Sequence, residues 1–387
     1  MRHSLDSITA KFKQIFATNP TVWADAGGRV NIIGEHTDYH DGFVLPTAID
    51  LRSYAVASGR DDGILRIHAA DYDNTVQVAL EDLSPFEQID WRSYTCGPFW
   101  SWLKAERPFT GADIVIASNV PAGGGLSSSA SIEVALLGIA KALSDDDLSC
   151  LNIAIIARAA ENLFCYVPCG IMDQMASSCG QKHRALLIDC RSLETKLVTT
   201  PNDWVFVVAD SGVPRSLASG EYAKRRSECD AGMKIIIQLY KEVRAARDVS
   251  MDMLNSVKGR IPEVSFRRLR HAISENERTL TAADALKTGG IYLTGQLMQQ
   301  SHESLAKDYE VSCPELDTLV EIASGIKGCV GARLTGAGFG GNTVNLVHKD
   351  AANDFCSQLK TKYKEATGIK SVVRTVRPSA GLQTGRF

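Results

Sequence analysis

Five side chains capable of binding or catalysis lie within thirteen positions near the start of the chain. The stretch 28–42 reads GRVNIIGEHTDYHDG and contains Arg29, Glu35, His36, Asp38 and Asp41. A short, mostly apolar run at 30–33 predicts a buried strand, and it ends at Gly34, just before the last four of these residues. Burying such groups costs roughly 2–7 kcal/mol each unless they find partners, and a polyhydroxylated ligand such as a sugar offers many. The stretch therefore indicates a sugar site, with a solvated loop after a strand as the alternative.

A glycine- and serine-rich segment indicates an anion site. Residues 121–131 read PAGGGLSSSAS, between a predicted strand that ends near Asn119 and a predicted helix that begins near Ser128. Consecutive glycines let backbone N–H groups converge, and a helix N-terminus favours negative charge. The patterns G-x-x-x-x-G-K-[ST] and G-x-G-x-x-G, which are typical of other nucleotide sites, are both absent from the sequence. A glycine-rich turn capped by a serine is the alternative interpretation.

A second glycine-rich segment, 334–341, reads LTGAGFGG and lies between two strand-like runs. By itself it is also compatible with a tight hairpin, because hairpin turns use the same residues. Together with residues 121–131 and the polar cluster at 28–42, it favours a site that binds a nucleotide and a second substrate.

Two further acidic residues are candidates for chemistry. Asp173 lies in the mostly apolar stretch CGIMDQM, and a buried carboxylate needs a cation or several donors. Arg29 is a candidate partner, and such a pair could accept a proton while it stabilises negative charge. Glu161, twelve residues upstream, could reach a metal ion held by the serine-rich segment. The alternatives are a structural carboxylate at a turn for Asp173 and an exposed helix residue for Glu161.

Composition excludes several classes of protein. The chain has 387 residues, which suits two or three domains with a large core, and its net charge of −3 argues against nucleic-acid binding. The N-terminal residues lack a signal-peptide pattern, and no run reaches the roughly 18 apolar residues of a membrane span. Ten cysteines are scattered without a C-x-x-C pair, which favours reduced thiols over a zinc site. We therefore expect a cytoplasmic protein that binds no membrane.

Strands and helices alternate irregularly along the chain. Strand-like runs are predicted at 51–58, 64–70, 75–80, 113–119, 185–189, 204–209 and 370–376. Helical spacing is predicted near 128–143 and 148–159, over 221–247, and in pieces across 262–287, 291–308 and 314–325. This mixed order predicts an α+β fold with two lobes, an N-terminal lobe over 1–200 and a C-terminal lobe over 201–387.

Four motifs in this order resemble one family. Residues 28–50, 121–131, 170–174 and 334–341 are similar to the small-molecule kinases that include galactokinase, homoserine kinase, mevalonate kinase and phosphomevalonate kinase. The first motif, GRVNIIGEHTDYHDGFVLPTAID, is similar to galactokinases in particular. The resemblance implies a two-lobed fold with mixed sheets, and an active site in the cleft between the lobes.

The resemblance also implies an activity and a role for each motif. The activity is ATP-dependent phosphorylation of the anomeric hydroxyl of α-D-galactose to galactose 1-phosphate, the first committed step of galactose catabolism by the Leloir pathway. Asp173 matches the catalytic base and Arg29 the residue that stabilises the transferring phosphoryl group. The sugar-binding positions are Glu35, His36, Asp38, Gly170 and Tyr222. The ATP-binding positions are Trp91, Pro121, Gly123, Gly124, Gly125, Leu126, Ser127, Ser128 and Ser129. Ser129 and Glu161 match the Mg²⁺ ligands.

Two other functions stay open from the sequence. One is a kinase for a related sugar such as N-acetylgalactosamine or galacturonate, with some activity on talose, galactosamine or 2-deoxy sugars. The other is a non-catalytic galactose sensor, which usually lacks the dipeptide after the glycine-rich serines. Ser129 and Ala130 are present here, as are Asp173 and Arg29, which favours the enzyme. A monomer is expected by default.

Overall fold

The computed structural model describes residues 3–214 and 218–387, except for the side chains of residues 218 and 219. The strands of this part are β1 Val22–Asn31, β2 Phe43–Val44, β3 Pro46–Gly59, β4 Ile64–Ala69, β5 Asn74–Ala79, β6 Ala112–Ser118, β7 Arg184–Asp189, β8 Thr195–Thr199, β9 Trp204–Asp210, β10 Cys329–Thr335, β11 Asn342–His348, β12 Val373–Val376 and β13 Gln383–Arg386. The α-helices are α1 Leu5–Phe16, α2 Trp91–Lys104, α3 Ser128–Leu143, α4 Cys150–Ala159, α5 Met172–Cys179, α6 Ala218–Leu239, α7 Met251–Ser256, α8 Glu263–Lys287, α9 Ile291–Ser304, α10 Pro314–Ser324 and α11 Ala352–Thr367.

The first sheet supports the N-terminal half of the site. Its six strands lie in the order β13-β1-β3-β6-β4-β5, and only the β4–β6 pair is parallel. Alternate side chains of these strands point to opposite faces, so each face can carry its own core. The apolar stripe of α1 covers one face with Ile8 and Phe12. The other face packs on α2 and α3, where Phe99, Trp102 and Leu136 are completely buried.

The second sheet carries the C-terminal glycine-rich turn. Its antiparallel strands lie in the order β10-β11-β9-β12, and residues 336–341 connect β10 to β11. Helices α10 and α11 cover one face, with Leu319, Phe355 and Tyr363 buried there. A third sheet has the order β2-β7-β8 and lies next to the sugar motif through β2.

One hydrophobic core joins the two halves of the chain. It contains Val30 and Ile32 from the first half, and Leu286, Met298 and Val344 from the second. Strand β13, close to the C-terminus, pairs with β1 in the first sheet. The division into 1–200 and 201–387 stays a prediction, and the two halves share both a core and a sheet.

The α+β prediction is confirmed, and most predicted strands agree with the structure to within one or two residues. The helix predicted over 221–247 is too long, because α6 ends at Leu239. Beyond it, Asp248 accepts hydrogen bonds from the amides of Arg244 and Ala245, which holds the chain in a turn. The Arg247 guanidinium donates to Asp189, which stabilises this turn against the third sheet. None of the helices within residues 3–214 and 218–387 is both long and apolar enough to span a membrane.

Candidate active site

Arg29 and Asp173 form the ion pair that the sequence suggested. The Arg29 Nε donates to Asp173 Oδ1 at 2.8 Å, and its Nη2 donates to Oδ2 at 2.9 Å. Arg29 is 4% exposed, whereas the Asp173 side chain keeps 29% exposure and lines a cavity. The carboxylate therefore combines a fixed orientation with access to a substrate.

A bulge in β1 aims Arg29 at this cavity. The register of β1 against β3 shifts between Gly27 and Arg29, and such bulges redirect side chains. The Arg29 amide donates to the carbonyl of Leu126 at 2.9 Å, which ties β1 to the glycine-rich segment. A Cβ on Gly28 would lie 2.5 Å from that same carbonyl oxygen, so only glycine allows the approach.

The segment 121–127 connects β6 to α3, as predicted for a phosphate loop. Gly123 and Gly125 have φ values of 71° and 75°, which favour glycine. A Cβ on Gly123 would meet no neighbouring atom, so the backbone conformation, and not a lack of space, requires glycine there. Helix α3 begins at Ser128, and its first N–H groups lack partners within the helix. Ser127 Oγ also donates to Asp173 Oδ2 at 2.5 Å, which places this carboxylate beside the loop.

Five of the nine positions expected to bind ATP line the cavity, namely Gly123, Gly125, Ser127, Ser128 and Ser129. Leu126 packs into the shared core, and the Gly124 carbonyl accepts a hydrogen bond from Asn342 of the second glycine-rich turn. Pro121 precedes the cavity-lining part of the loop. Trp91 begins α2 and stacks on Tyr72 at 5.8 Å between ring centroids, while Tyr94, one turn further along α2, lines the cavity. All nine ATP assignments stay predictions.

Ser129 and Glu161 are in contact, on the side of the cavity next to Asp173. Ser129 Oγ donates to Glu161 Oε1 at 3.0 Å, and Gln174 Nε2 donates to Oε2 at 2.6 Å. Glu161 lies on a π-helical turn, Ala160–Phe164, and is buried, so the exposed-helix interpretation is wrong. Burial, together with the nearby charge of Asp173, raises the pKa of Glu161 to about 7.

Sequence reasoning missed Glu133, a third carboxyl group in this region. It lies one turn after Ser129 on α3 and is completely buried. Burial and the charge of Glu161 raise its pKa well above the usual value. The available signal was a single acidic residue in an otherwise apolar helix, SASIEVALL.

Glu35 joins the sugar motif to the second glycine-rich turn. Its Oε1 accepts hydrogen bonds from the Gly336 amide at 2.7 Å and from Thr335 Oγ1 at 3.2 Å. The Arg333 guanidinium lies 3.4 Å from the same oxygen. The contact brings 28–42 and 334–341 into one site, as the sequence predicted.

His36 lies in an aromatic pocket. Its Nδ1 is 2.6 Å from the Tyr39 hydroxyl, and its ring lies 5.7 Å from that of Tyr222 and 4.7 Å from that of Tyr309. Burial and the nearby His271 lower its pKa to about 3. His36 is therefore neutral at pH 7 and offers one donor and one acceptor nitrogen.

Asp38 and Gly170 are direct neighbours. A Cβ on Gly170 would lie 1.7 Å from Asp38 Oδ2, so the glycine leaves room for this carboxylate. Burial and the charges of Asp173 and Glu35 raise the pKa of Asp38 to about 7. Asp41, by contrast, points away from the cavity toward Arg191.

Residues of both glycine-rich segments and of the stretch 28–42 line one cavity of about 490 Å³. Such a volume lies in the range of small-molecule sites, roughly 300–1,000 Å³. We call the lining by the phosphate loop, Ser129 and Glu161 the phosphate end, and the lining by Glu35, His36, Asp38, Gly170 and Tyr222 the sugar end. The Arg29–Asp173 pair lies in the same cavity, so the arrangement suits transfer of a group between two bound substrates.

Three family models match the chain. They are the galactokinase galactose-binding signature over residues 10–59, the GHMP kinases N terminal domain over 97–181 and the GHMP kinases C terminal over 282–365. A galactokinase of Roseiflexus sp. (strain RS-1) is 44% identical over 377 residues, covering 96% of this chain and 95% of that protein. The chain belongs to the galactokinase family. A galactokinase of Chloroflexus aggregans (strain MD-66 / DSM 9485) is 42% identical, covering 97% of this chain and 95% of that protein.

Solved structures agree with the galactokinase fold. The structure of Lactococcus lactis galactokinase complexed with galactose matches with a TM-score of 0.93 at 30% identity, covering 98% of this chain and 99% of that one. Methanococcus jannaschii mevalonate kinase matches with a TM-score of 0.64 at 19% identity, covering 92% and 98%, which shows the fold alone. The expectation of a two-lobed small-molecule kinase fold is confirmed.

Helix α8 of the second half holds the backbone of the sugar motif, residues 28–42. Glu275 Oε1 accepts hydrogen bonds from the amides of Gly34 at 2.9 Å and Glu35 at 3.2 Å, and from Ser301 Oγ at 2.6 Å. Arg278 donates to its other oxygen at 2.8 Å, and the pKa of the buried Glu275 is lowered to about 2 by nearby cations, of which Arg278 is the strongest. Sequence reasoning missed this support, because Glu275 only continues a polar helix pattern.

Proposed function

We propose that this member of the galactokinase family transfers the γ-phosphoryl group of ATP to the anomeric hydroxyl of α-D-galactose, giving galactose 1-phosphate and ADP. One observation carries the proposal. The Arg29–Asp173 pair lies where the phosphate loop and the sugar motif meet. Arg29 contacts the loop at Gly125, and Asp173 contacts it at Ser127. A base at this junction can act on a sugar hydroxyl that points toward a bound phosphate.

The proposed reaction uses the pair in two roles. Asp173 takes the proton from the anomeric hydroxyl as that oxygen attacks the γ-phosphorus, and the bond from phosphorus to the ADP oxygen breaks. Arg29 fixes the carboxylate with two hydrogen bonds and adds a positive charge near the transferring group. The Nη1 of Arg29 donates to the Gly125 carbonyl at 2.5 Å, which holds the guanidinium against the loop.

The phosphate end of the cavity fits Mg²⁺. The Ser129 hydroxyl and the Glu161 carboxylate are 3.0 Å apart, and oxygen donors are the ligands that this ion prefers. The described residues, 3–214 and 218–387, hold no group of three or more His, Cys, Asp or Glu placed to bind a metal alone. This suits an ion that shares its coordination with substrate phosphates and water. When bound, Mg²⁺ would neutralise phosphate charge, while the α3 N-terminus and loop amides orient the phosphates.

The sugar end offers both donors and acceptors for hydroxyl groups. Asp38 and Glu35 supply carboxylate oxygens, His36 an imidazole whose Nε2 lies 3.3 Å from the Ala337 carbonyl oxygen, and Tyr222 a hydroxyl on α6. We propose galactose as the substrate because the galactose-binding signature covers residues 10–59. Arg29, Glu35, His36 and Asp38 all lie within that range. The proposal includes a monomer in the cytoplasm, where ATP is available, and needs neither nucleic acid nor a membrane.

A coupled ADP-release assay over a sugar panel tests the proposal. With Mg²⁺ and ATP, we expect the highest kcat/KM for galactose among galactose, galactosamine, talose, 2-deoxygalactose, N-acetylgalactosamine and galacturonate. Turnover of a different sugar in preference to galactose would select the related-sugar kinase. Binding of galactose without any ADP release would select the sensor, and either result would overturn the proposal.

The substitutions Asp173→Asn and Arg29→Ala test the assigned roles. Loss of a positioned base typically lowers turnover roughly 10²–10⁴-fold, so we expect kcat to fall by that order with an unchanged melting temperature for Asp173→Asn. The matched control is Asp61→Asn, because Asp61 is exposed and far from the cavity lining. Near-normal kcat in Asp173→Asn would contradict the assignment of the base.

A further inference from the structure

Two cysteines outside the cavity lie side by side on neighbouring helices. Cys150 is the first residue of α4 and Cys179 the last residue of α5. Ser178 Oγ donates to the Cys150 carbonyl at 2.7 Å, which holds the two helix ends together. Cys150 and Cys179 each shift the pKa of the other's thiol, and Cys150 is exposed to solvent.

We propose that Cys150 and Cys179 form a peroxide-sensitive dithiol site that closes reversibly to a disulfide between the start of α4 and the end of α5. The proposal is independent of the proposed function, because neither thiol lines the cavity. Because the helix ends that carry the two thiols are already held together, closing the sulfur–sulfur bond of about 2 Å needs only local movement.

The two thiols differ in a way that suits successive steps. The hydrogen bond from Cys179, with help from backbone amides at the α4 N-terminus, lowers the pKa of Cys150 to about 7. The same contact and burial raise the pKa of Cys179. Cys150 is therefore the thiol that reacts first with an oxidant, because the thiolate is the nucleophilic form. Cys179 stays protonated until it reacts with oxidised Cys150.

The reaction balances with hydrogen peroxide as the oxidant. The Cys150 thiolate attacks one peroxide oxygen, the O–O bond breaks, and the released hydroxide takes up a proton to give water. The Cys179 thiol then attacks the sulfenic sulfur of Cys150. The S–O bond breaks, and a second water leaves with the Cys179 proton. Two thiols lose two electrons in total, and the peroxide gains them.

Other cysteines are less suited to this chemistry. Cys96, Cys165 and Cys229 are buried, and burial raises the pKa of each of their thiols. Burial also raises the pKa of Cys169 and Cys190 well above the usual value. Access and thiolate character thus coincide at Cys150, which predicts selective oxidation there.

The disulfide would close the segment 150–179, which carries Glu161 and Asp173 between its ends. Because the two helix ends are already held together in the folded protein, the bond should preserve the positions of both carboxylates. It would also restrict this segment in the unfolded chain, which stabilises the folded state. We therefore expect the oxidised protein to keep its activity and to melt at a higher temperature than the reduced protein.

Peptide mapping of the full-length protein tests the site. The reduced protein is treated with hydrogen peroxide, free thiols are blocked with iodoacetamide, and tryptic peptides are analysed by mass spectrometry. Trypsin cleaves after Arg158, so Cys150 lies in peptide 142–158 and Cys179 in peptide 159–182. We expect these peptides to be linked through Cys150 and Cys179 by fragmentation, to separate with dithiothreitol, and to accompany a higher melting temperature.

Matched serine variants make the result decisive. Cys150→Ser should abolish the linked peptides and the rise in melting temperature, while Cys356→Ser, at a half-buried cysteine on α11, should retain both. Alkylation of wild-type Cys150 should be fastest among the ten cysteines and should have a midpoint near pH 7. Peptides linked through Cys165 or Cys169, or free Cys150 and Cys179 after peroxide treatment, would overturn the proposal.

Discussion

Asp38 is the residue whose protonation should depend most directly on the sugar. It lies close to Asp173 and Glu35, and burial with these charges raises its pKa to about 7. Hydroxyl groups of a bound sugar that donate to Asp38 would favour its charged form and lower this pKa. Sugar binding and proton release are therefore expected to be linked.

Calorimetry of galactose binding without nucleotide or Mg²⁺ measures this linkage. Near pH 7, where about half of Asp38 is already ionised, we expect release of up to about half a proton per galactose, so the observed enthalpy should change with the ionisation enthalpy of the buffer. Affinity should rise as pH increases through 7 and level off above it, where Asp38 is already ionised. Equal enthalpies in phosphate and Tris buffers would contradict the prediction.

Gly170 gives a second prediction at the residue scale. Gly170→Ala places a methyl group where the Asp38 carboxylate lies, so Asp38 must move. We expect the KM for galactose to rise about tenfold or more, which corresponds to roughly 1.4 kcal/mol, while the KM for ATP stays within about twofold. Gly325→Ala is the matched control, because a Cβ there makes only ordinary contacts. Equal KM values for galactose in the two variants would refute the role of Gly170.

At the scale of elements, α8 positions the sugar motif from the other half of the chain. Its Glu275 accepts three hydrogen bonds on one oxygen, two of them from the backbone amides of Gly34 and Glu35. His271, one turn earlier, lies 3.1 Å from the Glu35 carbonyl oxygen through Nε2. The helix therefore holds both the N–H groups of Gly34 and Glu35 and the carbonyl group of Glu35.

Glu275→Gln tests the support from α8. The new side-chain amide has only one acceptor oxygen. Its NH₂ group must therefore face other donors, either the amides of Gly34 and Glu35 or the Arg278 guanidinium, and these lose their acceptor. We expect a lower melting temperature and a KM for galactose raised more than that for ATP. The control Glu321→Gln changes an exposed residue of α10. A fall in stability with unchanged galactose KM would leave Glu275 a purely structural residue and refute its positioning role.

Local chemistry explains which parts of the site the sequence could predict. The glycine-rich segments predict positive φ values and loops between regular elements, and both are found. Asp173 could be singled out because it is an acid among apolar residues. Glu275 could not be predicted, because it acts on Gly34 across 241 positions. Glu133 shows the same signal as Asp173, a single acid in an apolar stretch, but its interaction with Glu161 joins two elements that no spacing rule connects. Tyr222 and Gly170 were assigned to the sugar site only by the family resemblance, because no spacing rule predicts which residues lie next to them in the fold.

At the scale of the whole molecule, the two halves form one cooperative structure. Val30 and Ile32 share a core with Leu286 and Val344, and β13 completes the first sheet. The cavity also takes lining residues from both halves, with Tyr222 and Gly336 on the C-terminal side. The boundary near residue 200 stays a prediction, and the shared core predicts that the two halves unfold together.

Scanning calorimetry of the full chain tests this cooperativity. We expect one unfolding transition, with a calorimetric enthalpy close to the van't Hoff enthalpy, because unfolding either half exposes the shared core. Galactose should shift that single transition upward, since it binds the folded state only. Two separate transitions, with only one of them sensitive to galactose, would contradict a shared core.

The central claim is that Asp173 takes a proton from the anomeric hydroxyl of galactose as ATP phosphorylates that oxygen. Phosphorus NMR of the reaction with galactose, ATP and Mg²⁺ tests it most directly, with wild-type protein and Asp173→Asn measured in parallel. The account predicts galactose 1-phosphate as the sugar product of the wild type, and a rate lower by roughly 10²–10⁴-fold for a folded Asp173→Asn. Phosphate on any other hydroxyl, or the same rate from both proteins, would contradict it.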